Sequence, residues 1–313
     1  MHNYFFSHAR TAFKYILKKV IKKNDEVLIP DYICDSLIHP LLQLNVNFKY
    51  YKIDINLKAD WDDLSNLVNK KTRMILFVNY FGIPNEIYRY QDFAKKHKIL
   101  LVEDNSHGFN GQFENQILGT FGDFGIASPR KQLKIYSGGI LYSKLNFVIN
   151  LPKYKTNQKN IYVVKAKKYI SKFPYLKKTI KKTFLSRPKY ESQHAFREKY
   201  VEDYLIDDIS LKIIQKNNQK DDIIKYHYNN FKKFEKFSFD NKLNPVFTEY
   251  PDKINPWCYP VYVRDQAEQI KWYNWAWKNN IDLFSWPTLP DSLLNKNSNS
   301  YKLWTKIICF STK

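Results

Sequence analysis

The sequence predicts an α/β architecture, with a mostly parallel sheet flanked by helices and a smaller C-terminal α/β domain. Three observations carry this reading. Through the first half, short apolar runs alternate with helix-length amphipathic segments, the pattern of βαβ units. All eight glycines lie between Gly82 and Gly139, which marks that stretch as the most constrained backbone. At 313 residues, 44% hydrophobic and 17% aromatic, the chain is long enough for one large domain and a smaller one.

The elements follow in order. Residues 9–23 put Ala12, Tyr15, Ile16 and Val20 on one helical face and lysines on the other. "DEVLIP" (25–30) is a short strand closed by Pro30, followed by a helix near 35–44, a strand at "NFKYYKI" (47–53) and a helix near 61–69. "RMILFVNY" (73–80) reads as a buried strand, 85–98 as an amphipathic helix and "ILLVE" (99–103) as the next strand. "FGIAS" (124–128) and "GGILY" (138–142) complete the set. The predicted division is a large domain over 1–150, a basic helical connector over 151–200 and the smaller domain over 201–313. The last contains helices from "DDISLKII" onward, strand-like "WCYPVYVRD" (257–265) and the helix "QAEQIKWYNWAWKNN".

Composition excludes several classes. The formal charge of +21 resembles a nucleic-acid signature. However, the lysines are spread over the whole chain, as drift in an AT-rich coding sequence would leave them, and no zinc-finger spacing or RNA-binding aromatic motif accompanies them. The positive potential would still attract an acidic substrate. No run approaches a membrane span, and "MHNYFFSHAR" lacks a signal-peptide layout. Cys34, Cys258 and Cys309 are odd in number and not in metal spacing, so a cytoplasmic location without a metal is expected. From Lys165 to Lys189 there are ten basic residues and no acidic one. A solvated linker helix fits this stretch better than peripheral contact with the inner membrane, although both readings stand.

Candidate chemistry gathers at predicted strand ends, where open α/β sheets bind ligands. "ILLVEDNSHG" (99–108) runs from a buried strand into Glu103, Asp104 and His107. Asp104 reads either as a buried carboxylate facing a cation or as a cap for the turn that follows. In "DFGIASPRKQLKIYSGG" (123–139), Ser128 ends a strand and Lys131 follows it. A lysine nucleophile needs a partly deprotonated amine, which burial and the neighbouring Arg130 favour. "SHARTAF" (7–13) opens a helix whose free amides suit an anion. A lysine, a buried carboxylate and a phosphate cradle are the parts pyridoxal phosphate requires.

Taken in order, these residues resemble the DegT/DnrJ/EryC1/StrS family of pyridoxal-phosphate sugar aminotransferases. The parallel covers "SHARTAFKYILKKVIKKNDEVLIPDYICDS", "ILFVNYFGIP", "LLVEDNSHGFNGQ" and "LGTFGDFGIASPRKQLKIYSGGIL". The resemblance implies the type I, aspartate aminotransferase-like fold and pyridoxal 5'-phosphate as cofactor. It implies an amino-acid donor, glutamate foremost, a nucleotide-sugar acceptor in surface polysaccharide or lipopolysaccharide synthesis, and a homodimer. Asp104 becomes the pyridinium partner, His107 the contact on the ring-hydroxyl side, Ser128 a phosphate ligand and Lys131 the Schiff-base lysine and proton shuttle. Arg10 and Thr11 fall at the phosphate-binding helix start. Because the Ser–Lys segment is shorter than in much of the family, Lys134 is a second candidate for the Schiff base. Tyr32, near Cys34, is the expected substitute for the aromatic that often stacks on the ring. The chain begins close to the cradle, which leads us to expect shortened ends. Two alternatives remain: a pyridoxamine-phosphate sugar dehydratase of the same fold, a branch with histidine in place of the lysine, and a catalytically degenerate partner at a membrane surface.

Overall fold

The computed structural model describes residues 1–155, 203–217 and 221–313. Nearly all of the predicted connector, and the basic stretch 165–189 with its two readings, lie outside the described residues.

The large sheet has seven strands in the order β1-β9-β8-β5-β4-β2-β3. They are β1 (His2–Phe6), β2 (Glu26–Pro30), β3 (Asn47–Tyr51), β4 (Thr72–Val78), β5 (Leu100–Asn105), β8 (Phe124–Ala127) and β9 (Gly139–Ser143). A short hairpin, β6 (Gln112–Phe113) and β7 (Gln116–Ile117), interrupts the series. Pairing is parallel from β3 through β2, β4 and β5 to β8, and antiparallel at β9 with both neighbours. Central β4 is apolar and buried along nearly its whole length, as burial on both faces requires. Edge strand β3 alternates, exposing Asn47 and Lys49. Strand β5 runs further than "ILLVE", so Asp104 and Asn105 are still within the ladder, opposite Ile126 and Ala127 of β8.

Helices α1 (Ala9–Val20), α2 (Asp35–Gln43), α3 (Trp61–Leu67) and α4 (Ile87–His97) connect the strands. In α1 the buried face carries Ala12, Phe13, Ile16 and Leu17, with Tyr15 and Val20 packed at the margin of the core. The smaller unit has a four-stranded antiparallel sheet ordered β10-β11-β13-β12. Its strands are β10 (Asn244–Pro245), β11 (Cys258–Tyr262), β12 (Leu283–Phe284) and β13 (Ile307–Ser311). Helices Asp221–Asp240, Gln266–Lys278 and Asn299–Lys306 accompany it. Phe231, Tyr259, Val261 and Phe310 form its core. Cys258, Trp286 and Cys309 instead pack into the core of the large sheet, so the two sheets meet along a dry seam. Among the described residues, no helix is long and apolar enough to cross a membrane.

The glycine cluster has a mostly steric cause. Only Gly82 and Gly119 adopt positive φ. At Gly125, a Cβ would lie 1.7 Å from the Gly119 carbonyl oxygen. At Gly139, it would lie 2.1 Å from the His8 carbonyl carbon and 2.4 Å from the Ala9 nitrogen. The backbone crowded there is the protein's own. The Gly139 contact seats the start of α1 directly on β9. Gly139→Ala must therefore push α1 outward, and a loss of about 1–3 kcal/mol in unfolding free energy is expected. Chemical denaturation checks this, and an unchanged midpoint would show that the α1–β9 contact can relax.

Candidate active site

The carboxyl ends of β2, β4, β5 and β8 open on one cavity of about 460 Å³. Strand β2 leads into Ile33, Cys34 and Asp35, β4 ends at Val78, β5 delivers Asp104, Ser106 and His107, and β8 runs into Ser128, Arg130 and Lys131. The start of α1 adds His8, Ala9 and Arg10, while Trp257, Trp286 and Lys313 close the cavity from the smaller unit.

Lys131 is at the end of a short 3-10 turn, Pro129–Lys131, with Ser128 at its head. Its amine lies 4.2 Å from the centre of the Trp257 ring and 5.9 Å from that of Trp286. Burial lowers its pKa to about 8, against the opposing pull of Cys34, Asp104 and Cys258. Roughly one molecule in ten then carries a neutral amine at neutral pH. Lys134 is exposed and outside the cavity wall, so the geometry singles out Lys131 of the two lysines.

The two acids of β5 part company. Glu103 is fully buried away from the cavity. Its Oε1 accepts from Asn79 Nδ2 at 2.7 Å and its Oε2 from the Phe121 amide at 2.8 Å. Asp104 lines the cavity, and its Oδ1 accepts the Ser106 amide at 2.8 Å. It is thus both the cap of the following turn and a carboxylate facing a cation. Burial raises its pKa, while the Ser106 hydrogen bonds and the charge of Lys131 oppose the rise.

His107 Nδ1 accepts the Phe81 amide at 3.0 Å, which leaves the ring proton on Nε2. Burial and Lys131 hold its pKa well below the ordinary value, so the imidazole is neutral. Trp286 meets the ring edge-on at 4.5 Å and Trp257 lies 5.0 Å away.

At the start of α1 the cavity wall is cationic. Ala9 and Arg10 open the helix, where amides lack intrahelical acceptors. Arg10, Arg130, Lys313 and the nearly buried Ser128 surround this end. The Ser128 hydroxyl does not cap its own turn. His8 is driven to a pKa of about 3 by burial, then by Arg130 and Arg10. These donors fit a phosphate group. Asp104 and His107 fit a protonated ring, and Lys131 fits a carbonyl carbon.

Of the residues expected at the site, Arg10, Asp104, His107, Ser128 and Lys131 share this cavity. Thr11 does not reach it: the residue is buried in the first turn, and its amide bonds the His8 carbonyl at 3.1 Å. Tyr32 is also absent from the wall. Fully buried, its hydroxyl donates to the Trp286 carbonyl. Sequence reasoning missed His8, although it lies inside the quoted cradle, and missed Trp257, Trp286 and Lys313. No local motif marks these last three, which reach the cavity only through tertiary packing.

Residues 7–146 match the DegT/DnrJ/EryC1/StrS aminotransferase family. A GDP-4-keto-6-deoxy-D-mannose 3-dehydratase of Escherichia coli O55:H7 is 35% identical over 112 residues, covering 36% of this chain and 29% of that protein. A GDP-perosamine synthase of Vibrio cholerae is 25% identical over 133 residues, 42% of this chain and 36% of its own length. The matching segment thus spans about a third of these relatives. Helicobacter pylori PseC, an aminotransferase involved in pseudoaminic acid biosynthesis, superposes with a TM-score of 0.70 at 15% identity, over 99% of this chain and 81% of that one. An E. coli GDP-4-keto-6-deoxy-D-mannose-3-dehydratase with bound hydrated PLP gives 0.65 at 19%, over 99% and 83%. The α/β fold is the one these sugar enzymes share.

The cavity makes a chemical prediction of its own. Reductive methylation of Lys131, followed by peptide mass, should reach half its limiting rate near pH 8, because the neutral amine reacts and the burial-lowered pKa sets its abundance. A midpoint at the ordinary lysine value would show that the amine is solvated.

Proposed function

We propose that this chain, whose residues 7–146 match the DegT/DnrJ/EryC1/StrS aminotransferase family, is a pyridoxal-phosphate-dependent aminotransferase. It takes an amino group from an amino acid, glutamate in this reading, and gives it to a keto group of a nucleotide-linked sugar for surface polysaccharide assembly. The observation that carries the proposal is Lys131, with a lowered pKa, in one cavity with Asp104, His107 and Ser128. When bound, the cofactor supplies an electron sink for charge developing next to the transferred nitrogen.

The chain's own groups do the rest. The first amides of α1, Ser128, Arg10 and Arg130 would hold the phosphate. Asp104 would keep the ring nitrogen protonated, since two opposite charges brought together in a dry cavity stabilise each other. His107, neutral and fixed by the Phe81 amide, would offer Nε2–H to the ring. Lys131 Nζ would hold the aldehyde carbon and, once released, carry a proton as general base and then acid. Trp257 and Trp286 cover one side of that amine. The reading includes a cytoplasmic homodimer, in keeping with the three free cysteines and with the family resemblance.

A second reading, the sugar dehydratase, is favoured by one finding: relatives at 35% and 30% identity carry that name. Lys131 inside the cavity weighs against it, because the resemblance assigns that branch a histidine at this position.

Purified protein mixed with pyridoxal phosphate should gain a visible absorption band that glutamate bleaches with release of 2-oxoglutarate. Borohydride should fix the cofactor on the peptide containing Lys131. Lys131→Ala should lose the fixed label and about 10²–10⁴ of the turnover. Asp104→Asn should cripple turnover without lowering the melting temperature. A protein that takes up no cofactor would sink the proposal, and uptake without amino transfer from any amino acid would favour the dehydratase.

A further inference from the structure

The turn that carries Lys131 is held in part by residues of the smaller unit. The Lys131 amide bonds the Ser128 carbonyl at 3.0 Å, and the Pro129 carbonyl accepts the next two amides. The carbonyls on either side of that ring of bonds are met by the smaller unit. Lys313 Nζ donates to the Arg130 carbonyl at 2.8 Å and to the Leu133 carbonyl at 3.1 Å. His227, in helix Asp221–Asp240, approaches the Gln132 carbonyl through Nε2 at 3.3 Å. A carbonyl only accepts, so the imidazole proton is on Nε2.

The same imidazole reaches the opposite wall of the lysine's hollow. Its Nδ1, left without a proton, accepts the Thr312 hydroxyl at 3.0 Å, and with that one proton spent the Thr312 link to the Trp257 segment runs through its backbone amide. That amide donates to the Trp257 carbonyl. One buried ring therefore joins the residue after Lys131 to the backbone of the indole under its amine. His227 is only 2% exposed, which is hard to account for unless its polar atoms are used in this way.

We propose that His227 is a positioning residue for Lys131: with Lys313 it straps the lysine turn to the Trp257 segment and so keeps the amine in its place over the indole. The strap stands on hydrogen bonds of this chain alone, while its catalytic meaning rests on the aminotransferase reading. The titratable groups facing the amine are Asp104 and His107 at the end of β5, Cys34 before α2, Cys258 on β11 and Arg130 beside it. His227 faces Lys313. Loosening the strap leaves the groups around the amine in place and admits water to it.

The test is the pH dependence of Lys131 methylation, read by peptide mass on the full chain without added cofactor. His227→Phe keeps the ring's bulk and removes both nitrogens; it should move the midpoint up by about one pH unit. His227→Gln keeps an N–H for the Gln132 carbonyl and should restore most of the wild-type midpoint. Lys313→Ala, whose side chain lies outside the core, should shift the midpoint in the same direction by less. A folded His227→Phe variant with a lower melting temperature but an unchanged midpoint would make the histidine merely structural and overturn the inference. If that variant does not fold, Lys313→Ala decides, and an unmoved midpoint there overturns it. Failure of the His227→Gln rescue would overturn the hydrogen-bond account. Because no cofactor is used, a chain that never binds pyridoxal phosphate would defeat the functional proposal without touching this result.

Discussion

The rest of the site is arranged around one half-buried amine that lies over an indole. Solvated, Lys131 would be a permanent cation of no chemical use near neutral pH. Burial against Trp257 drives its proton off, while Asp104 and two thiols pull the other way. Neither influence alone gives a useful group: full desolvation would leave a permanently neutral amine, and an unopposed carboxylate would lock in the charge. The balance depends on elements from both units, because the lysine belongs to the large sheet and the indole lies beside β11 of the small one.

The remaining charges are sorted along the cavity. Cations and helix-start amides gather where α1 begins, seated on β9 by the absence of a side chain at Gly139. The acid stands at the end of β5. Strand alternation separates the two neighbouring carboxylates. Glu103 turns inward, where Asn79 and Phe121 satisfy it and tie the ends of β4 and β5 together. Asp104 turns to the cavity, where its carboxylate accepts the Ser106 amide of the local turn. Two adjacent residues of similar chemistry thus hold different positions, one organising the strand ends and the other lining the space they enclose.

Much of the large sheet was legible because its signals are local. Apolar runs such as "RMILFV" need both faces covered, and their spacing from the amphipathic segments sets the βαβ order. The strands that escaped depend on distant partners. His2–Phe6 is ordered by pairing with Gly139–Ser143 across the domain, and Ile307–Ser311 by its place between β11 and β12. The site divides in the same way. Asp104, His107, Ser128 and Lys131 sit at strand ends that periodicity can find. Trp257, Trp286 and Lys313 belong to a unit whose placement no spacing in the sequence records. Tyr32 misled for a related reason: it lies next to the cavity in sequence, but its side chain points into the core, toward Trp286.

The glycine distribution has two sides, composition and sterics. Glycine codons are rich in G and C, and the composition of this chain is that of a gene under steady pressure toward A and T. Several of the glycines that remain sit where a Cβ would meet backbone at under 3 Å, as at Gly122, Gly125 and Gly139. At those three positions the chain has no room for one more carbon.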